Sequence, residues 1–514
     1  MEFQIPNFAP AAAEIFVAAM ALVLLMVAAF ARPGGGRCAA FWVSQATLLV
    51  AAVLSLPVDW SAGVWETLRS SEGGIGMWLL SWLASGKVTF TFGLSFLSDP
   101  LGGMLKSLVC LAVMAVLLYG RRYLNDRKLE SPEYYVVAIC ATLGMLVLIS
   151  ASSLLTIYMG LELLSLSSYA LVAVDRDNPR ATEAAMKYFV LGALASGLLL
   201  YGISMVYGAT GTLDIIEVAR GLYEQQVNRT VLLFGLVFVV AGVAFKLGVV
   251  PFHMWIPDVY HGAPTSVTLL ISTAPKLAAF AMAFRLLALG MWDLAPQWQK
   301  MLMIAAVASI VLGNLAAIAQ TNLKRMLAYS GISHMGFMLL GLMAAKGSPH
   351  DLFNAYASSL FYVVIYVLTT LASFGILLMM SREGFEAENI DDFRGLNRRN
   401  SWWAAMMAIV MFSTAGLPFF VGFFSKFFVL QAVLSAGHLS LAVVAVLMSL
   451  VGAFYYLRVV KVMYFDEPVD DTPVRASRGF GLVLSSNVLA VAVLGIMPGW
   501  LMNFCVLVLR SSFG

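Results

Sequence analysis

The chain has 514 residues, 61% of them hydrophobic and 11% charged, with a formal net charge of +3. Soluble domains carry about 25% charged residues, so a string of soluble globular domains is excluded, and nothing in the net charge points to nucleic acid. Four cysteines (Cys38, Cys110, Cys140 and Cys505) are scattered without CxxC spacing, which argues against a zinc site, an iron–sulfur cluster or a disulfide framework.

Apolar runs recur along the whole chain, separated by short polar connections. A bilayer core of roughly 30 Å takes about 20 apolar residues per helix. The ten-residue alternation of a membrane β-barrel is missing. The expected fold is therefore an all-α integral membrane protein of about fourteen transmembrane helices. In chain order the spans fall near 13–31, 40–57, 101–120, 133–150, 152–173, 180–208, 230–250, 264–289, 299–320, 326–345, 353–380, 402–434, 439–463 and 480–509. No basic region or cleavage site precedes the first run, so it reads as a retained helix rather than a signal peptide. Residues 77–97 carry Gly86 and Lys87 at their centre and then alternate as Val88, Phe90, Phe92, Leu94. They are expected to form an extramembrane hairpin and not a fifteenth span.

Orientation follows from the loop cations. Odd-numbered connections hold 18 of them: Arg32, Arg37, Arg121, Arg122, Arg127, Lys128, Arg176, Arg180, Lys324, Arg325, Arg382, Arg394, Arg398, Arg399, Arg458, Lys461, Arg475 and Arg478. Even-numbered connections and termini hold eight, Arg69, Lys87, Arg220, Arg229, Arg285, Lys300, Lys346 and Arg510. The expectation is that both termini face the non-cytoplasmic side. Of the 31 cations, 18 and eight are thereby placed, leaving five inside apolar spans: Lys106, Lys187, Lys246, Lys276 and Lys426.

Those five matter because an ionised lysine at the bilayer centre costs at least about 2.5–3.5 kcal/mol, and a leucine would pack there without that cost. At 1.5 Å per residue, Glu162 lies roughly 15 Å into its span and Lys276 roughly 18 Å into its own. Lys246 sits sixteen residues into a third span. Asn178-Pro179 reads as an N-cap followed by the first helical residue, which puts Lys187 two turns in with Glu183 four residues before it. Lys106 lies near the start of its helix, within two turns of Asp99, and is expected to snorkel to the outer interface.

Around Lys246 the chain reads AFKLGVVPFHMWIPDVYHGAPTS, and around Lys426 it reads STAGLPFFVGFFSKFFVL. Proline removes a backbone hydrogen bond and clashes with the preceding turn. In a bilayer such breaks persist only where they are buried or line a wet cavity, and a broken helix beside a charge is a common ion site in transporters. Two discontinuous helices are expected. Glu162 precedes Lys246 by 84 residues and His334 precedes Lys426 by 92. These are spans five and seven, then ten and twelve. An offset of five helices inverts the second copy in the membrane. His253 follows the first break, and His334 sits in GISHMGFML. Histidine titrates nearest neutrality, which suits proton relay, although either ring could equally be a hydrogen-bonded core residue.

The stretch FKLGVVPFHMWIPDVYHGAPTSVTLLISTAPKLAAF resembles the subunit N family of bacterial respiratory complex I, the NADH:quinone oxidoreductase. Further matches are YMGLELLSLSSYAL, EAAMKYFVLGALASG, NLKRMLAYSGISHMGFML and GFFSKFFVL followed by YYLRVV, together covering about residues 99 to 465. The resemblance implies fourteen helices with two inverted five-helix antiporter-like repeats. It implies an N-terminal unit 1–130 with helices 1–3, a first repeat 131–290, a second repeat 299–465, and a loop with helix 14 over 466–514. It further implies proton transfer through Glu162, Lys187, Lys246, His253, Lys276, His334 and Lys426. Because a neighbouring carboxylate favours the charged form of a lysine, Lys246 is expected to hold its proton while paired with Glu162. No cofactor is expected in this chain, NADH, FMN, iron–sulfur clusters and quinone belonging to other subunits. Expected partners are the other membrane subunits of the complex, above all neighbouring antiporter-like ones, the lipid bilayer, internal water and protons. Lys106 matches no site of the family. Two rival classes share these features: a subunit of a multisubunit sodium/proton antiporter, and a non-pumping membrane scaffold whose charges merely pair.

Overall fold

The computed structural model describes residues 6–30, 35–58, 83–223, 227–468, 472, 474 and 476–513. Ala12–Phe30 (α1) and Gly35–Leu54 (α2) pack against each other. A short hairpin of Thr89–Thr91 (β1) and Phe96–Ser98 (β2) follows. Then come Pro100–Asp126 (α3), Pro132–Ser150 (α4), Leu154–Val172 (α5), Pro179–Thr210 (α6), Ile215–Tyr223 (α7), Arg229–Leu247 (α8) and Trp255–Gly262 (α9). The middle of the chain forms Thr265–Ser272 (α10), Ala274–Ala283 (α11), Ala295–Ile318 (α12), Leu323–Met343 (α13) and Pro349–Met380 (α14). The remainder forms Ser401–Ala415 (α15), Val421–Ser435 (α16), Leu439–Phe465 (α17), Arg478–Ile496 (α18) and Pro498–Ser512 (α19).

Thirteen stretches among the described residues are long and apolar enough to cross a membrane. The two half-length apolar helices α15 and α16 together make one more crossing, which gives the expected fourteen. Polar residues fix where the helices begin. Asp99, Ser131, Asn178 and Ser348 each precede a proline and accept a backbone N–H from the first turn, so the proline occupies the position where a missing N–H costs nothing.

The crossing Thr265–Leu289 is buried along its whole apolar window, whereas only 22% of the window in Arg478–Ile496 is buried. The former is thus the central helix and the latter lies at the periphery of the bundle. Each repeat opens with a tightly packed pair, α4 with α5 and α12 with α13. A Cβ at Gly160 of α5 would come within 2.7 Å of the Leu148 backbone nitrogen of α4; small residues let membrane helices approach this closely. Each repeat also contains one broken fourth helix, α8 continued by α9 and α15 continued by α16. The five-crossing offset between them reverses their direction.

Several expectations need correction. The hairpin is shorter than 77–97: residues 77–82 lie outside the described residues, and Phe92 and Leu94 form its turn at positive φ instead of extending a strand. The run 264–289 is interrupted at Thr273 (φ −115°, ψ −91°), where Pro275 follows. The last run, 480–509, is two helices, because Pro498 starts α19 after Met497 leaves the helical region. Arg285 and Lys324 are not solvated loop cations, each being only 2% exposed. Arg32, Arg69 and Arg475 lie outside the described residues.

One face carries the hairpin and both chain ends, with Thr91 donating to the Asn7 carbonyl at 2.7 Å and Leu101 N–H to Ser512 Oγ at 2.8 Å. The opposite face gathers the basic connections. There the segment after α14 runs as a strap across the start of α13, with Leu323 N–H on the Glu388 carbonyl at 2.6 Å and Ile390 N–H on the Thr321 carbonyl at 3.0 Å.

Candidate functional site

The two broken helices end alike. α8 stops at Leu247 because Gly248 turns left-handed (φ 74°), and α15 stops at Ala415 because Gly416 does the same (φ 85°). A helix that ends inside a bilayer leaves carbonyls without partners. Here lysine ammonium groups take them. Lys276 Nζ donates to the Leu247 carbonyl at 2.8 Å, and Lys426 Nζ donates to the Ala415 and Thr414 carbonyls at 2.8 and 3.2 Å and to Ser449 Oγ at 2.8 Å. The negative end of the helix dipole favours a cation at each place. Each ammonium also lies 5.6 Å from the centre of an aromatic ring, Trp255 for Lys276 and Phe337 for Lys426, within cation–π range. The repeats thus present one motif twice, although the lysine comes from the next crossing in the first repeat and from the continuation of the same crossing in the second.

Lys246, on the last turn of α8, does not touch Glu162. Its Nζ donates to Ser165 Oγ at 3.0 Å, and Glu162 lies one turn earlier on α5 with Oε1 buried and without a hydrogen-bond partner among the described residues. A cavity of about 10 Å³ beside Lys246 and Ser165 is about the size that holds one water. The expected direct pair is therefore not formed, because a serine one turn along the same helix is nearer the ammonium than the carboxylate.

Lys187 keeps its expected partner Glu183 at 2.8 Å and gains Asp258 of α9 at 2.8 Å. Its side chain is 43% exposed, so it sits at the edge of the line. Asp258 also takes Arg325 of the second repeat at 2.9 Å. His253 is half-buried in the loop after the α8 break, and among the described residues no lysine or tyrosine of the line is hydrogen-bonded to it. His334 lies deep on α13, with Nδ1 2.7 Å from Tyr362 Oη and Nε2 3.0 Å from Tyr456 Oη. Tyr456 in turn meets Ser330, while Tyr455 donates to Asn314 at 3.1 Å and Asn314 donates to Ser333 at 2.9 Å.

Sequence reasoning missed the tyrosines, Ser165, Ser449 and Asp258. The hydroxyls carry no formal charge and count as ordinary helix residues. Asp258 did offer a signal, a carboxylate one residue after Pro257 in the stretch that follows the break.

Two buried ion pairs lie apart from the line. Lys106 does not snorkel; it is 4% exposed and meets Glu14 of α1 at 3.0 Å. Asp99, its supposed neighbour, instead takes Arg285 at 2.6 and 3.0 Å. On the basic face, Glu386 of the strap accepts from Tyr123, Thr265 and Arg127 and lies 3.7 Å from Lys324. Burial alone would push this carboxyl up, but Lys324, Arg127 and the hydroxyl donors together hold it below the usual carboxylate range.

Residues 151–452 match the family described as NADH:quinone oxidoreductase/Mrp antiporter, transmembrane. A NADH-quinone oxidoreductase subunit N from Azoarcus sp. (strain BH72) is 58% identical over 514 residues, covering 100% of this chain and 99% of that protein. The subunit N from Nitrosomonas europaea is 49% identical over 512 residues, with 100% of each chain covered. In a structure of respiratory complex I from Thermus thermophilus, one chain superposes with a TM-score of 0.77 at 28% identity, over 96% of this chain and 98% of that one. A chain of the Mrp complex from Dietzia sp. shares the fold at 20% identity, with a TM-score of 0.78 over 98% and 97% of the two chains. Fourteen crossings, paired helix breaks and relatives matched end to end lead to one assignment: the chain belongs to the NADH-quinone oxidoreductase subunit N family.

Proposed function

We propose that this chain is a proton-translocating membrane subunit of respiratory complex I, with redox chemistry carried by other subunits, and that Lys246, Lys276 and Lys426 are its proton carriers. The observation that carries this reading is the repeated placement of an ammonium on the last carbonyls of a broken helix. Burial opposes the charged lysine, while the carbonyls and the helix terminus support it. The balance rests on a few contacts at a break, so a small movement there changes proton occupancy without unfolding the bundle. Protons would enter the first repeat at the Glu162, Ser165 and Lys246 cluster, with Lys187 and His253 towards its edge. They would pass Lys276 on the central helix and leave through His334 and Lys426. Residues 131–290 and 299–465 would each form one half of this path, flanked by 1–130 and 466–514. The basic face would be cytoplasmic, with both termini periplasmic.

A sodium/proton antiporter subunit is the second reading. What favours complex I is the 58% identity to a subunit N against 20% to the Mrp chain. The test uses assembled complex in liposomes, with proton uptake followed by a pH-sensitive dye during NADH oxidation. Lys276→Met and Lys426→Met should each reduce proton uptake per NADH while the complex remains assembled, and sodium should not alter that ratio. Wild-type pumping by both variants would refute the carrier assignment, and sodium-dependent pumping would favour the antiporter reading.

A further inference from the structure

Away from the lysine line, a cavity of about 330 Å³ opens on an outer flank of the bundle between α3, α11, α14 and α18. Its walls are leucine, valine and alanine, among them Leu277, the neighbour of Lys276. Three polar side chains interrupt this lining: Ser486, which is exposed, and Tyr119 and Asn487, which present buried polar atoms. Tyr119 of α3 is 1% exposed, and its hydroxyl has no hydrogen-bond partner among the described residues. Asn487 of α18 has both its amide nitrogen and its amide oxygen buried, with no well-formed hydrogen bond among the described residues. The two side chains face each other, with no well-aligned hydrogen bond between them among the described residues.

Buried polar groups are almost always satisfied, and a leucine at 487 would line an apolar wall without penalty. The pair therefore points at a ligand with both a donor and an acceptor on an apolar body. Depth narrows the class. Asn487 lies nine residues into α18, about 14 Å along the helix axis, which is close to the middle of a roughly 30 Å core. Glycerolipid esters and head groups sit at the interface, well away from that depth. A ring bearing hydroxyl or carbonyl oxygens and dissolved among the acyl chains does reach it. The volume falls at the lower end of the roughly 300–1,000 Å³ typical of small-molecule sites.

We propose that this flank binds the head group of a membrane-dissolved isoprenoid quinol. One quinol hydroxyl donates to the Asn487 amide oxygen and accepts from the Tyr119 hydroxyl or the Asn487 amide nitrogen. The oxidised quinone, which only accepts, fits less well. No electron transfer occurs at this site. The proposal does not depend on the lysine line, and it succeeds or fails separately from the proton-carrier reading.

The experiment uses the assembled complex and a photoreactive short-chain quinol analogue, with the labelled peptides mapped by mass spectrometry. Label should appear on the peptide containing Asn487 or the one containing Tyr119. Non-reactive quinol should compete it away, and a phospholipid should not. Asn487→Leu should weaken labelling roughly tenfold, the loss of about one hydrogen bond, while Tyr119→Phe should weaken it less. If Asn487→Leu lowers the amount of complex, Ala490→Phe serves instead, since it fills the cavity from the same helix and should abolish the label with α18 otherwise unchanged. Labelling elsewhere only, or labelling that neither variant changes, would overturn the proposal. So would equal labelling by a photoreactive phospholipid, or a cross-link showing a neighbouring subunit seated on this flank.

Discussion

Removing one partner from a buried ion pair strands the other charge, which typically costs about 3–5 kcal/mol, a large part of the stability of a folded domain. Lys106 and Glu14 form such a pair, both almost fully shielded. Lys106→Met is therefore expected to deplete the chain from the complex, as read on native gels and by thermal melting. Glu14→Gln combined with Lys106→Met should recover most of the loss, because no lone charge remains. A double variant as unstable as the single one would show that a stranded charge is not what destabilises Lys106→Met. Depth along one helix could not reveal this pair, since Glu14 comes from a helix whose contact with α3 only the fold creates. Lys246, Lys276 and Lys426 were legible for the opposite reason: a charge in a long apolar run is conspicuous whatever surrounds it.

The helix breaks were legible as breaks, because glycine and proline act on the local backbone. What they are for was not, because the carbonyl acceptors and the ammonium donor meet only when two segments pack. In the first repeat that donor lies 29 residues away. Gly416 makes the link testable. At φ 85° an added Cβ is strained by roughly 1–2 kcal/mol, and it would also stand 3.0 Å from Lys426 Nζ. Gly437 has nearly the same φ, 83°, with nothing within 4 Å of its Cβ position. Gly416→Ala and Gly437→Ala should thus destabilise by similar amounts, while only Gly416→Ala should reduce proton uptake per NADH. If both variants pump alike, the ammonium does not depend on the shape of this break.

For the molecule as a whole, the sequence foretold the number of crossings and the gathering of cations on one face, since both follow from composition along the chain. It did not foretell that a strap from the far end of α14 would pair with Arg127 and Lys324 through Glu386 and with Arg180 through Glu388. Glu386 is the centre of that arrangement. Its carboxyl titrates lower when folded than when unfolded, so it stabilises the strap above the usual carboxylate range. That stability is lost as pH falls through the lowered value. Hydrogen exchange at the Leu323 and Ile390 amides, which the strap holds, should stay slow through the usual carboxylate range and accelerate only at pH below it. Glu386→Gln should bring the same acceleration at neutral pH. Exchange that stays slow in Glu386→Gln would place the strap's stability elsewhere.

Trp255 connects this architecture to something visible in a cuvette. Its indole stacks on Tyr188 at 4.6 Å, nearly parallel, and Lys276 Nζ stands 5.6 Å from its ring. A unit charge so close to an excited indole shifts its emission, so gain or loss of the Lys276 proton should have an optical signature. The chain contains 11 tryptophans, and the difference between wild type and Trp255→Phe isolates the one of interest. That difference should change when NADH is added to coupled complex and should vanish in Lys276→Met. A difference that persists in Lys276→Met would mean that the indole senses some other charge. If the signal behaves as expected, the central lysine can be watched through its cycle by light alone, with no label attached.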